Sequence, residues 1–522
     1  MAEQARQYRD MATTASWTMV SRVLGLVRDQ LMTATFGAGA VASAFLLAFQ
    51  VPNLFRRLLG EGALASALVP PLAGKLEREG RPAALGFLNH VLARALPWML
   101  GIMLLGMGLA LGLSLWLEEP RASLAAELTV WTLPYLPLIC AAALVTAAAQ
   151  LLGKFGLGEI AAGCLNLCMI ASLAWAGPAL FPLDLAAQAR VLCAATVLGG
   201  CLQLAIPLLG LRSLGWRPVA GPVDPGAWGE LRATFLPALL GAGVLQLNLL
   251  VSRFLAFGVD DAALTHYHVA NRVTELPVGL FSVSVAAVIF PALAQARAQG
   301  DSAALGRNFA RGMRLILAIN VAAALGLAVL AKPILLLLFQ FGRFTADDAA
   351  ASAALLVLFS AAMPLYALSA LTARALTVVG RADVTLRAAV HALAANAVLS
   401  PLLAHLAGVQ GLAWANLASA AWQLAVLRHH LRRSEPAYLA EPLLRPVLQV
   451  LFGALVLGAV AYQTQRWLAD ELYGMLAPKL VLLVSMGGAA VLAAGIYAWL
   501  LDQFGYPERD LLRGFLRRRT KA

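Results

Sequence analysis

Arginines set inside apolar runs are the residues in this chain best placed to do chemistry. The first run carries Ser21-Arg22-Val23-Leu24-Gly25-Leu26-Val27-Arg28-Asp29, and the second carries Asn53-Leu54-Phe55-Arg56-Arg57-Leu58-Leu59-Gly60-Glu61-Gly62 just after Val51-Pro52. A third, Asn271-Arg272-Val273-Thr274-Glu275-Leu276-Pro277, lies in the second half of the sequence. A guanidinium facing lipid at mid-bilayer is costly, so such residues face a water-filled cavity or a partner. Its planar fork bonds two oxygens at once, which suits phosphate or carboxylate. The chemistry offered is capture of an anion.

On a helix of about 3.6 residues per turn, Gly25 lies between Arg22 and Arg28, and Asp29 falls close to the stripe of Arg22. Two cations then flank bare backbone that an anionic ligand can approach closely, and Gly25 permits a bend. In the second run Pro52 loosens the helix, and Arg56 and Arg57 lie about 26 Å from its outer start, near the membrane middle. Arg57 and Glu61 have the four-residue spacing of an ion pair, which leaves Arg56 for a ligand. The candidate binding residues are therefore Arg22, Arg28, Arg56, Arg57, Glu61 and Arg272, supported by Ser21, Gly25, Asp29, Asn53 and Glu275. Ion pairs with Asp29, Glu61 and Glu275 account for one arginine each and leave at least two cations over. Arg94, Arg190, Arg253 and Arg374 lie nearer helix ends, where snorkelling explains them. His266 and His268 are read as polar lining, and the five cysteines as packing residues without metal-ligand spacing. Neither a metal nor a cofactor is expected.

The elements that must position these residues follow from composition. The chain has 522 residues, 61% hydrophobic and 13% charged, against about 25% charged in soluble domains. A water-soluble enzyme is excluded. Apolar runs recur near 11–36, 39–72, 88–117, 125–152, 157–180, 185–211, 229–257, 263–296, 308–331, 349–379, 384–406, 410–431, 443–465 and 480–503. Each exceeds the length of about 18 residues that reads as a spanning helix, and none shows the alternation of a membrane barrel. The expectation is an all-α polytopic membrane protein of 14 transmembrane helices. The polar start and the long first run predict no cleavable signal.

Basic residues collect in the loops after even-numbered runs, from Lys75, Arg78 and Arg81 to Arg428, Arg432 and Arg433, and again in the tail from Arg509 to Lys521. The opposite loops carry Glu118, Glu119, Asp184, Asp260, Asp261, Asp347 and Asp348. The positive-inside rule puts both termini in the cytoplasm and accounts for the net charge of +12 without nucleic acid. A weak repeat pairs Phe36-Gly37 with Phe257-Gly258 and Pro70 with Pro291, then Pro137 with Pro364 and Gly153-Lys154 with Gly380-Arg381. An offset of six helices keeps orientation, which predicts parallel halves. The expected divisions are 1–218 for helices 1–6, 219–433 for helices 7–12, 434–505 for an appended pair and 506–522 for a basic cytoplasmic tail.

Several of these segments resemble the MurJ/MviN family of lipid II flippases. They are Ser21-Arg22-Val23-Leu24-Gly25-x-x-Arg28-Asp29, Phe36-Gly37-Ala38-Gly39, Leu54 to Ala63, Arg272-x-x-Glu275-Leu276-Pro277-x-Gly279, Leu338-Phe339-Gln340-x-Gly342-x-Phe344-Thr345 and Gly380-Arg381-Ala382-Asp383. The resemblance implies the fold of the multidrug/oligosaccharidyl-lipid/polysaccharide exporter superfamily, two six-helix lobes in a V plus two appended helices. It implies transport of lipid II, an undecaprenyl-diphosphate-linked disaccharide pentapeptide, from the cytoplasmic to the periplasmic leaflet. It also implies essential cavity arginines at Arg22, Arg28 and Arg272, a polyprenyl-tail groove at helices 13 and 14, contact with membrane lipids, and association with cell-wall synthesis machinery. Ser43 and Asn271 stand where many relatives have Asp, which removes any gating ion pair through those acids. Ser252 is neutral, so a sodium site is not carried over.

The expected function is an alternating-access flippase, a transporter and not an enzyme, with the diphosphate held by cavity arginines. The alternatives are a flippase for another polyprenyl-diphosphate oligosaccharide or a multidrug exporter of the same fold. A membrane-embedded glycosyl transferase or polymerase would need a catalytic acid in a substantial outer loop, and the sequence offers none.

Overall fold

The computed structural model describes residues 2–58, 64–219 and 225–510, and those residues are built from helices with no β-strand among them. Long apolar runs make this outcome nearly obligatory, because a helix satisfies every backbone polar group within its own segment. In chain order the helices are α1 (Ala2–Phe36), α2 (Ala40–Phe55), α3 (Leu64–Glu79), α4 (Arg81–Trp116), α5 (Pro120–Thr132), α6 (Tyr135–Leu151), α7 (Leu157–Ala171), α8 (Gly177–Leu180) and α9 (Leu185–Arg212). They continue with α10 (Pro225–Val259), α11 (Ala263–Ala298), α12 (Ser302–Val329), α13 (Ala331–Phe339), α14 (Ala346–Val378), α15 (Ala382–Ser434), α16 (Leu444–Glu471) and α17 (Pro478–Gln503).

By length and hydropathy alone, nine of the described helices qualify as membrane spans, and ten if α5 and α6, bent by 45°, form one broken span. The other apolar runs are shorter or more charged. The run at 39–72 is divided between α2 and α3, each of 16 residues. Helix α11 carries Arg272, Glu275 and Arg297. Helix α15 is continuous only in name, since Ala407 and Gly408 leave helical geometry and the chain turns there. A Cβ at Gly411 would lie 1.9 Å from the Leu403 carbonyl oxygen, so the two arms approach closely. The apolar runs 384–406 and 410–431 are these two arms.

The chain forms two compact units, one of Met1–Thr265 with Phe341–Phe344 and one of His266–Gln340 with Thr345–Ala522. In the first unit, α7 packs on α9 at Gly199, where a Cβ would sit 2.6 Å from Leu165 Cδ1. Buried Tyr135 of α6 lies equally close to Gly200 and donates a 2.7 Å hydrogen bond to Gln203 Oε1. The segment Phe341–Phe344 belongs to this unit because the Arg343 N–H donates to the Ala34 carbonyl at 2.9 Å, at the end of α1. Gly342 (φ +55°) makes that approach possible, since a Cβ there would fall 2.3 Å from the Ala34 oxygen. Two separate glycine-bearing motifs, Phe36-Gly37 and Gly342, thus meet at one place.

The second unit has a core of α11, α12, α14 and α15, including Phe309, Leu371 and Tyr438. A second core joins α12 to the hairpin of α16 and α17 through Ala318, Val450, Ala454, Ala461, Ala493 and Leu501. Tyr497 pins it, donating from its buried hydroxyl to the Ala318 carbonyl at 2.7 Å. Beyond α17 the chain is held by Tyr506 Oη, which donates to the Arg314 carbonyl at 2.7 Å, and by a 2.8 Å ion pair between Arg314 and Glu508. Burial pushes the Glu508 carboxyl up, and the bond from Arg314 opposes that shift.

The repeat at Gly153 and Gly380 has a shared structural basis. In both, the glycine N–H bonds three residues back at 3.0 Å and the following N–H reaches five back at 2.8 Å, from Lys154 to Ala149 and from Arg381 to Leu376. The glycines have φ +82° and +78°. The same helix stop recurs at Gly215, Gly300 and Gly505, and the left-handed conformation makes glycine the fitting residue at each.

Candidate functional site

The first unit bears a half-open cavity of about 480 Å³ that holds the arginines of two separate runs. Helix α1 contributes Thr18, Ser21 and Arg22, and the turn after α2 contributes Arg56. Helices α6, α7 and α9 complete it with Thr146, Gln150, Glu159 and Gln203 among small apolar residues. Arg56 reaches this place through local backbone chemistry. Buried Pro52 cannot donate, and Arg56–Leu58 form a single π turn at the end of the helix. Arg56 Nε donates to Asn53 Oδ1 at 2.9 Å, which fixes the guanidinium on its own helix. Arg22 is exposed in the cavity and has no ion-pair partner among the described residues.

Arg28 is placed differently from its neighbour. Its Nε and Nη2 donate to Asp29 Oδ1 at 3.0 and 2.7 Å, and its Nη1 donates to Asn166 Oδ1 at 3.1 Å. Asn166 in turn donates to the Ser21 carbonyl at 3.2 Å, so α7 ties together both ends of the arginine run. Asp29 is buried and pairs with Arg28, the adjacent residue, and not with Arg22 on whose stripe it was expected. Arg28 is not among the residues lining the cavity of Arg22 and Arg56. Gly25 is buried within α1, which runs as one helix from Ala2 to Phe36. Arg57 is half-buried and also lies outside the cavity lining. Glu61, with its expected pairing to Arg57, lies outside the described residues.

The remaining candidates are in the second unit. Arg272 Nη1 donates to Glu275 Oε2 at 3.3 Å, and Asn271 Nδ2 donates to Glu275 Oε1 at 3.1 Å. Glu275 thus holds two side chains of its own helix. His266 Nε2 lies 3.1 Å from Asp348 Oδ1, whose other oxygen caps α14 through Thr345. In the first unit, Ser43 donates to the Asp261 carbonyl at 2.6 Å and lies 3.2 Å from Thr265 Oγ1. A serine therefore makes a neutral contact where an ion pair would need an acid. Ser252 is buried and donates to the Asn248 carbonyl at 3.3 Å.

A second concavity of about 560 Å³ lies between α12, α13, α16 and α17. Its walls are Ile319, Ala322, Gly326, Leu457, Met486, Gly487, Ala490 and further apolar side chains. An apolar chain is what such a groove can accept. Among the polar residues near the arginines that sequence reasoning does not single out are Asn166, Gln203 and Glu159. The first two lie inside apolar helices and carry no spacing signal. Glu159 stands in the first turn of α7, where an acid is expected for the helix dipole alone.

Residues 32–482 match the family described as Lipid II flippase MurJ. A probable lipid II flippase MurJ of Vibrio cholerae serotype O1 is 31% identical over 499 residues, covering 92% of this chain and 94% of the relative. A probable lipid II flippase MurJ of Haemophilus influenzae is 30% identical over 527 residues, covering 95% and 99%. Among solved structures, lipid II flippase MurJ in an inward closed conformation has TM-score 0.76 at 19% identity, covering 96% of this chain and 99% of that one. An inward-facing multidrug resistance MATE family transporter of the MOP superfamily has TM-score 0.61 at 13% identity, covering 83% and 99%. The two solved structures share the fold, and with the sequence match over most of its length the chain belongs to the MurJ family of lipid II flippases.

Proposed function

We propose that the protein carries lipid II from the cytoplasmic to the periplasmic leaflet of the bacterial inner membrane by alternating access, with both termini in the cytoplasm. The observation that carries this reading is the cavity that holds Arg22 and Arg56 together inside an apolar helical unit. A diphosphate is the part of lipid II least able to enter hydrocarbon, and two guanidiniums in a low-dielectric cavity offset that cost. Arg28 acts beside them as a pre-aligned cation, oriented by Asp29 and Asn166. Arg57, Glu61 and Arg272 are assigned to the same substrate as further binding residues. The apolar groove of α12, α16 and α17 takes the polyprenyl tail, so that the head moves while the tail stays in a lipid-like surrounding.

No covalent step is required of the protein, and transport by differential binding of two conformations suffices. Association with the cell-wall synthesis machinery would place the released lipid II beside the enzymes that consume it. The test is depletion of the protein in its host, with lipid II measured separately in the two leaflets. Accumulation on the inner leaflet, reversed by re-expression, supports the reading. An unchanged distribution with growth arrested would sink it.

A further inference from the structure

The cationic cavity also contains an acid that nothing in anion capture calls for. Glu159 lines the same cavity as Arg22 and Arg56, yet it forms no salt bridge with either. Its Oε2 is buried without a hydrogen-bond partner among the described residues. A carboxylate in a cavity meant only for a diphosphate weakens binding through like-charge repulsion. Leaving its oxygen desolvated and unpaired adds a further cost. The bland account is that an acid in the first turn of α7 stabilises the helix dipole. That effect needs a charge near the helix end, and it does not require an oxygen buried against a cavity.

Gln150 and Thr146 of α6 line the same cavity and offer side-chain oxygens that accept, whereas Gln203, whose Oε1 accepts from Tyr135, has only a donating amide left and belongs with the anion pole. The lining therefore has two poles, arginines for an anion and a carboxylate with neutral polar neighbours for a donor. Resting on the diphosphate reading above, we infer that Glu159 forms a second subsite that binds a primary ammonium group on the head of the lipid-linked substrate. An ammonium supplies both the charge and the N–H donors that the unpaired oxygen lacks. A ligand carrying a diphosphate and an amine together matches both poles, whereas a diphosphate alone meets repulsion from one of them. The subsite thus favours a completed, amine-bearing head group over the bare lipid diphosphate.

The experiment measures binding to the purified full-length protein in lipid nanodiscs. The ligands are lipid II with a free stem-peptide amine, the same lipid II N-acetylated on that amine, and undecaprenyl diphosphate. Glu159→Gln keeps the shape and an acceptor oxygen but removes the charge. It is expected to weaken amine-bearing lipid II about tenfold, in line with loss of a charged hydrogen bond. It should leave both the acetylated lipid and undecaprenyl diphosphate unchanged or tighter, with an unaltered melting temperature. Equal weakening of all three ligands, or no weakening of the amine-bearing one, overturns the subsite. Arg22→Ala serves as the separate test of the diphosphate reading, since it should weaken all three ligands alike. If it weakens none while Glu159→Gln discriminates as expected, the diphosphate assignment fails and the amine subsite stands.

Discussion

Arg22 and Arg28 lie six residues apart on α1 and have different surroundings, so their removal should fail in different ways. Arg22 is exposed in the cavity, and Arg22→Ala should abolish rescue of a depleted strain while leaving the melting temperature of the purified protein unchanged. Arg56→Ala and Arg272→Ala should also abolish rescue. Arg28 and Asp29 have side chains only 17% and 3% exposed, so Arg28→Ala breaks a largely buried ion pair. That should cost about 3 kcal/mol or more of stability in addition to transport. The double variant Arg28→Ala, Asp29→Asn removes both charges of the pair and should recover most of the melting temperature but not the growth. Recovery of both would reduce Arg28 to a structural residue. By contrast Arg190, which pairs with Glu127 at 2.7 Å with both side chains more than a third exposed, should tolerate alanine at a cost of about 1 kcal/mol or less. The arginines themselves were legible in the sequence because a charge inside an apolar run is conspicuous. Their pairing was not: a helical wheel sets Asp29 near Arg22, but Asn166, 138 residues from Arg28, fixes the guanidinium on the other side.

At the scale of elements, α16 and α17 do two jobs that truncation cannot separate. They share a core with α12, so removing them would expose Ala318, Leu325 and Val329 as well as destroy the groove. A filled groove is the cleaner test. Gly487 lines it, and a Cβ there would meet nothing within 4 Å. Gly487→Phe should therefore fold normally and block the polyprenyl tail, which would be seen as lost rescue with an unchanged melting temperature. Full growth of that variant would exclude the groove as the tail site. The clasp below α17 gives an independent check on how the hairpin is anchored. Arg314→Ala and Glu508→Ala should each lower the melting temperature, and the double variant should lower it by less than the two combined, because each single change leaves one buried charge alone. Apolar run length made most spans readable, and Gly153 and Gly380 marked the same helix stop in both halves. The division between α2 and α3 and the short α13 were not readable, since a π turn after Pro52 and a nine-residue helix of AKPILLLLF leave the hydropathy of their runs unchanged.

For the molecule as a whole, the proposed binding of lipid II in the arginine cavity carries a prediction about what drives the cycle. Two arginines against one glutamate leave the empty cavity formally one charge positive, with Arg28 and Asp29 forming a neutral pair. Lipid II brings a diphosphate and peptide carboxylates, so the loaded cavity is net negative even when an amine is bound at Glu159. An inside-negative potential favours outward movement of each such charge by about 2.3 kcal/mol per 100 mV. The empty cavity returns carrying positive charge inward, which the same potential also favours. Both half-cycles then run in the productive direction without a coupling cation. Ser252 is buried and neutral, so it offers no carboxylate to a cation. Dissipating the potential at constant sodium should stop the appearance of lipid II in the outer leaflet, whereas replacing sodium with potassium at constant potential should not. The charge argument also predicts the effect of a variant: Glu159→Gln makes the empty cavity more positive and the loaded one less negative. The potential dependence of loaded export should weaken and that of the empty return should steepen. If transport instead follows sodium and ignores potential, the driving force enters through a cation site elsewhere in the chain, and the arginine cavity serves recognition alone.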